Sequence, residues 1–172
     1  VTGGTGFIGS HTSLLLLEKG FSLIILDSLL NSSKNVIDRI LTILESKKVN
    51  FNERIKFVKG DIKNKLDIEE AFDLGNSLDQ KIEAVIHFAG LKSVGESTKN
   101  PIKYWDINVS GSISLFKCMQ NNNCNTIVFS SSATVYKAQS NKLLCENDIC
   151  EPINPYGVTK YTIEKILKDI FI

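Results

Sequence analysis

Tyr156-Gly157-Val158-Thr159-Lys160 sets a phenol and an ammonium four residues apart, and so on one face of any helix that carries them. A phenol in water titrates near pH 10, so serving as a base at neutral pH requires about 4 kcal/mol of preferential phenolate stabilisation. A lysine ammonium beside it, joined by the positive ring of an oxidised coenzyme, is a source of that stabilisation. Taken alone, Y-x-x-x-K is more often a solvated helix face, so its meaning depends on its company. Upstream, Ser130-Ser131-Ser132-Ala133-Thr134 supplies hydroxyls able to share or relay the proton of a substrate alcohol. Ser132 is the one expected at the reacting group, with Thr134 as a second donor. Ser130 and Ser131 read equally well as turn residues.

Oxidising an alcohol in this way needs a hydride acceptor, and the start of the chain has the pattern to hold one. Gly4-Thr5-Gly6-Phe7-Ile8-Gly9 is G-x-G-x-x-G, and Gly3, Gly6 and Gly9 also form G-x-x-G-x-x-G. Glycines at these spacings serve a tight turn, close approach of backbone to a pyrophosphate, and close packing of helix on strand. The motif follows strand-like Val1, opens a helix at Phe7 and Ile8, and precedes Asp27, eighteen residues beyond Gly9. That is the context a dinucleotide fingerprint requires. The free N–H groups and positive end of the helix then face the diphosphate. The Asp27 carboxylate would accept from both ribose hydroxyls and repel a 2′-phosphate, which favours NAD over NADP. Asp61-Ile62, after a later strand, is the expected neighbour of the adenine ring, although an aspartate there is also ordinary loop chemistry.

These side chains need a scaffold, and the hydrophobic pattern describes one. A helix is expected from Phe7 to about Lys19, apolar at Ile8, Leu14, Leu15 and Leu17 and closed by Gly20. Leu23–Leu26 is a short apolar strand, and a second helix spans Asn35 to Lys47 with a stripe from Val36 to Leu44. Then come a strand Ile55–Val58, a helix Leu66–Leu74 and a strand Ala84–Phe88. A long helix runs from Pro101 to Met119, followed by a strand Thr126–Phe129. Asn154-Pro155 reads as cap and first residue of a last helix reaching Ile170. Strands alternating with helices require crossover connections and hence parallel pairing. The fold class is α/β, a doubly wound parallel sheet of the Rossmann type, with residues 1–172 as one NAD-binding domain. Both ends read as cut: the central first strand would lie almost wholly before Val1, and no strand follows the last helix.

The composition agrees. The 172 residues are 42% hydrophobic and 23% charged, with 20 Lys+Arg against 19 Asp+Glu and a net charge of +1. Near-balance without charge blocks gives no support for a nucleic-acid partner. No apolar run reaches the roughly 18 residues of a membrane span. Cys118, Cys124, Cys145 and Cys150 form no C-x-x-C pair and lie far in sequence from the two histidines, His11 and His87. They read as free thiols rather than a metal site, which fits a reducing, cytoplasmic location.

Six stretches, in order along the whole chain, carry a family resemblance: Val1–Ser10, Asp27–Ser32, Gly60–Ile62, His87–Ser97, Ser130–Tyr136 and Asn154–Lys160. They resemble the extended short-chain dehydrogenase/reductases and, within them, the UDP-glucose (UDP-galactose) 4-epimerases. The glycine motif and Y-x-x-x-K specify only the wider family; the His87 and Ser130 blocks point to the epimerases. The resemblance implies that Asp27, Asn31 and Ser32 hold the adenosine ribose, and Asp61 with Ile62 the adenine. It implies that Phe88, Ala89, Gly90 and Lys92 line the pyrophosphate and nicotinamide side, with Asn108 fixing the cofactor ribose region. Tyr156 is then the base, and Lys160 both stabilises its phenolate and binds the nicotinamide ribose. Ser132 bonds the sugar 4-hydroxyl. A UDP-sugar substrate and a homodimer are further implications, as is a 4-keto intermediate formed while NAD stays bound.

Lys137 stands where that family usually has glycine. The resemblance covers about the first half of a typical epimerase, so the expectation is that these residues alone bind NAD weakly and turn over little. A nucleotide-sugar 4,6-dehydratase would use an Asp-Glu pair where this chain has Ala133-Thr134, leaving elimination without its general acid. Other nucleotide-sugar epimerases or reductases remain open alternatives, as does a non-catalytic NAD sensor, although such sensors typically lose the tyrosine or lysine.

Overall fold

Thr2 forms parallel bridges to Leu26 on one side and His87 on the other, so the residues entering the glycine turn hold the central position of a sheet. The computed structural model describes residues 1–137 and 143–170. Within them β1 (Leu23–Asp27) pairs in parallel with β2 (Ile55–Lys59), Leu23 opposite Ile55 and Asp27 opposite Lys59. β3 (Ala84–His87) pairs in parallel with β4 (Thr126–Phe129), Ala84 opposite Thr126. The spatial order is therefore β2-β1-Thr2-β3-β4, the doubly wound arrangement that the alternation of elements requires.

Period-two alternation sends the β1 side chains to opposite faces. Leu23 packs with Leu17 of α1 (Phe7–Glu18) and with Ile40 and Leu44 of α2 (Asn35–Ser46). Leu26 packs with Ile68 and Phe72 of α3 (Lys65–Ser77), with Leu115 and Met119 further along the chain, and with Ile163 near its end. Leu17, Leu44 and Ile68 are essentially fully buried, each stabilising the fold by roughly 1.5–3 kcal/mol. Helices thus cover both faces. α1 is less cleanly amphipathic than its apolar count suggests, since Ile8 and Leu15 are each 58% exposed.

Most boundaries fall within a residue or two of expectation, and the exceptions have local causes. α3 reaches Ser77 rather than Leu74 and is capped by Asn64, whose side chain accepts from Leu66 N. β3 stops at His87, one residue before Phe88. A short helix absent from the sequence reading, α4 (Val94–Lys99), begins at Ser93, whose Oγ accepts from Glu96 N at 3.3 Å. The S-x-x-E spacing is a capping-box signature. The run expected from Pro101 to Met119 is α5 (Pro101–Tyr104), a π turn (Trp105–Ser110) and α6 (Gly111–Asn121) in succession. After β4 comes a 3₁₀ turn (Ala133–Val135), and α7 spans Pro155–Ile170.

A cleft of about 800 Å³ lies between the two strand pairs, lined by Leu23, Ile24, Ala84, Val85, Phe72 and Leu115. It is far larger than the cavity beside the glycine loop, but none of the candidate catalytic groups borders it. All four cysteines are free thiols, Cys118 and Cys124 buried. Among the described residues no helix is long and apolar enough to cross a membrane.

Candidate active site

The glycine loop begins at Gly3, whose φ of +66° turns the chain back over the sheet end. A Cβ there would lie 2.7 Å from Ala89 N, so glycine is demanded by space as well as by conformation. Gly6 N donates to Gly3 O at 3.1 Å, and α1 starts one residue later with no side chain capping its first amides. Those unpaired N–H groups and the helix dipole give this end an anion-binding character. A Cβ on Gly9 would run into Gly3 O and lie 2.8 Å from Gly4 Cα, which is how the helix approaches the loop so closely.

Asp27, buried at the end of β1, is tied into the same loop. Its Oδ2 accepts from Thr5 N at 3.0 Å, and its Oδ1 accepts from Leu29 N at 2.9 Å and from Ser32 Oγ at 3.1 Å. Ser32 spends its proton on Asp27, so Thr5 Oγ1 donates to Ser32 Oγ across 2.7 Å. Asp27 is thus a latch on the glycine loop, with about one of its four acceptor positions open. The sequence reading assigned it to two ribose hydroxyls and missed this structural work, because Thr5 is an unspecified position of the motif.

A cavity of about 210 Å³ runs from this loop to the other end of the site. Gly3, Gly6, Phe7, Ile8 and Gly9 line it together with Asp27 and Asn31, and Asp61 and Ile62 close one side. Phe88, Ala89, Gly90 and Lys92 line it as well, as do Ser130, Ser131, Tyr156 and Lys160. Four of the singled-out residues do not line it: Ser32, Asn108, Ser132 and Thr134.

Tyr156 sits in the first turn of α7, which Asn154 caps by accepting from Gly157 N at 2.8 Å. Its ring is buried and stands edge-to-face with the fully buried Tyr104, centroids 6.4 Å apart at 78°. Lys160, one turn later, is 5% exposed. Its Nζ donates to Ser130 O at 2.9 Å and lies 4.6 Å over the Phe129 ring. Burial lowers the Lys160 pKa to about 8, so the ammonium keeps its charge at neutral pH with little in reserve. The positive charge is therefore held, poorly hydrated, at the same end of the cavity as the phenol.

Ser132 Oγ accepts from Thr134 N at 3.2 Å and lies 2.9 Å from Thr134 Oγ1, opening the 3₁₀ turn. Of the serine run, Ser130 and Ser131 line the cavity, and the Ser131 hydroxyl donates to Glu164 on α7. Asn108 acts from the second layer. Held in the π turn and 1% exposed, it accepts from Leu91 N at 2.8 Å and donates to Leu91 O at 3.0 Å and Thr159 Oγ1 at 3.1 Å. Leu91 and Ile107 line the cavity and carry no polar signal that a sequence motif would show.

A parallel α/β sheet with a glycine turn at its centre, an acidic latch ending the neighbouring strand and a Tyr/Lys pair on the same cavity defines a class: dinucleotide-binding domains of the Rossmann type. Within that class, residues 1–171 match the family described as GDP-mannose 4,6 dehydratase, and the chain belongs to that family. It is 45% identical over 171 residues to the bifunctional UDP-glucose 4-epimerase and UDP-xylose 4-epimerase 1 of Pisum sativum, covering 99% of this chain and 46% of that protein. The UDP-glucose 4-epimerase of Stenotrophomonas maltophila, solved with NAD and formylated UDP-arabinopyranose, superposes with a TM-score of 0.85 at 41% identity, over 98% of this chain and 47% of that one. The Bifidobacterium longum enzyme, solved with NAD⁺ and UDP, gives a TM-score of 0.85 at 38% identity, over 98% and 47%. The chain spans about half the length of the relatives it matches.

Proposed function

We propose that the protein is an NAD-dependent nucleotide-sugar 4-epimerase that interconverts UDP-glucose and UDP-galactose in galactose metabolism, residues 1–172 forming its NAD-binding domain. The observation that carries this reading is one cavity lined both by the uncapped start of α1 with Asp27 and by Tyr156 with Lys160. The resemblance to relatives named UDP-glucose 4-epimerase supports the choice of substrate. The residues present fit a dinucleotide. Gly6, Phe7, Ile8 and Gly9 would offer backbone to the diphosphate, and Asp27 with Asn31 would hold the adenosine ribose. Asp61 and Ile62 would take the adenine, and Phe88, Ala89, Gly90 and Lys92 the nicotinamide side.

NAD, when bound, supplies the hydride acceptor and donor. Tyr156 removes the proton of the sugar 4-hydroxyl as carbon 4 is oxidised, and gives it back after the flat 4-keto sugar has presented its other face. Lys160 would stabilise the phenolate by its charge and would bind the nicotinamide ribose. Ser132 and Thr134, which do not line the dinucleotide cavity and meet each other, are assigned to the sugar 4-hydroxyl. No carboxylate follows Ser132 in the Ala133–Val135 turn, so the acid needed for a dehydratase is lacking there. We also assign the protein to the cytoplasm as a homodimer. Four free thiols suit a reducing compartment, and Ile102, 78% exposed, with Trp105 offers an apolar patch for a second copy.

The test is conversion of UDP-galactose, with UDP-xylose alongside, by the whole protein supplied with NAD⁺, and by Tyr156→Phe as the control. Turnover of UDP-galactose that vanishes in the variant, while dinucleotide binding persists, is expected. Binding without turnover in the parent protein would replace the enzyme with a sensor.

A further inference from the structure

His87 is fully buried at the end of β3, and each ring nitrogen meets a hydroxyl: Nδ1 is 2.6 Å from Thr2 Oγ1, and Nε2 is 2.9 Å from Ser112 Oγ. The partners beyond those hydroxyls decide where every proton sits. Ser112 Oγ is 2.5 Å from the Asn108 carbonyl oxygen, which only accepts, so the Ser112 proton points there. Ser112 must then accept from His87, and Nε2 carries the hydrogen. Burial, then the nearby Lys160 charge, push the imidazole pKa down to about 3, so the ring is neutral and Nδ1 is bare. Thr2 Oγ1 donates to Nδ1 and accepts from Ala89 N at 3.3 Å.

The chain of bonds goes on past Asn108. The Asn108 side chain grips both backbone groups of Leu91 and donates to Thr159 Oγ1, which donates in turn to the Tyr156 carbonyl at 2.7 Å. Each donor and acceptor in this series is used without conflict. It joins the cavity wall at Ala89 and Leu91 to the backbone of the helix that carries Tyr156.

We infer that His87, as its Nε2–H tautomer, is a positioning residue that registers the Ala89–Leu91 wall against the Tyr156 turn of α7. It is fully buried and does not line the cavity. Its catalytic consequence rests on the proposed NAD chemistry; its tautomer does not. The Phe116 and Phe129 rings flank the imidazole at 6.5 and 5.7 Å, so space-filling alone would be served by any ring. The two nitrogens with opposite roles are what an apolar ring would not supply.

The chain holds two histidines, and His11 is exposed on α1, so imidazole ¹⁵N labelling yields two readily separated rings. At neutral pH the His87 ring should show a bare Nδ1 and a protonated Nε2. A hydrogen on Nδ1, or on both nitrogens, overturns the inference without any variant having to fold. Thr2→Val, which keeps the shape and removes the hydroxyl, should weaken binding of NAD⁺ relative to ADP-ribose by about 5- to 20-fold. In the whole protein it should lower kcat with KM for the UDP-sugar unchanged. Thr2→Ser should restore both. A lowered melting temperature with an unchanged NAD⁺/ADP-ribose ratio means a purely structural hub and overturns the positioning role. A parent protein that binds neither compound sinks the NAD reading and the positioning role together, while the tautomer still reports on the hydrogen-bond chain.

Discussion

Lys160→Met separates the energetic burden of the buried ammonium from its chemical use. Lys160 has a folded-state pKa of about 8 against 10.5 in the open chain, with desolvation as the cause. Below pH 8 both states hold the proton, and the fold carries the full penalty of the dry charge, about 3 kcal/mol. Between pH 8 and 10.5 the unfolded chain keeps its proton while the folded one loses it, so this group makes stability rise with pH. Above 10.5 neither state is protonated and the contribution is flat. Methionine abolishes the rise. It also removes the bond to Ser130 O, worth about 1.5–3 kcal/mol for a charged donor, and the contact with the Phe129 ring, worth about 0.5–2 kcal/mol. Gain and loss are comparable, so at pH 7 the variant should lie within about 2 kcal/mol of the parent while the role proposed for the ammonium is removed. Urea unfolding followed by circular dichroism at intervals from pH 7 to 10.5 reads the effect. Other alkaline ionisations cancel in the difference between the two proteins. Parallel stability curves across that range would refute the reasoning, because they would mean that the ammonium is hydrated where the geometry has it dry.

Gly9→Ala forces a Cβ onto the Gly3 and Gly4 backbone; overpacking of this kind should destabilise by about 1–3 kcal/mol, and calorimetric titration should show NAD⁺ affinity reduced more than stability. Asp27→Asn turns one acceptor into a donor, so that an N–H₂ group faces either Thr5 N–H or the Leu29 N–H and Ser32 hydroxyl. A loss of about 1–3 kcal/mol and a narrower preference for NAD⁺ over NADP⁺ are expected from denaturation and competition binding. His87, neutral in the fold down to about pH 3, accepts a proton in the unfolded chain near 6.5. Stability present above pH 6.5 should therefore fall by a few kcal/mol on acidification toward pH 3, and thermal melts of the protein and of a His87→Phe variant should diverge in that window.

What the sequence discloses about this molecule depends on whether a residue's partner is near it in the chain. Gly9, Asn154 and Pro155 act on near neighbours in the chain, and their roles follow from spacing alone, whereas the need for glycine at position 3 comes also from Ala89, far along the sequence. Ser93 and Glu96 belong to the same category, so α4 is legible from its cap even though its six residues are too few to show a hydrophobic period. The choice among Ser130, Ser131 and Ser132 is different in kind. Three adjacent hydroxyls are equivalent as sequence, and the direction each takes is set by Glu164 and Thr134 and by the 3₁₀ turn that follows. Asn108 is harder again. At a period of 3.6 it reads as one polar position in a long helix, whereas the π turn from Trp105 to Ser110 holds it buried where it can clamp Leu91. π turns insert where a backbone must swing a side chain toward a site, and nothing in local propensity signals one. His87 lies in an apolar strand and looks like a tolerated core residue until Thr2 and Ser112, 85 and 25 residues away, are brought to its two nitrogens. The polar groups hardest to find in the sequence are thus those whose partners are remote, and in this fold they link the wall of the cavity to Tyr156.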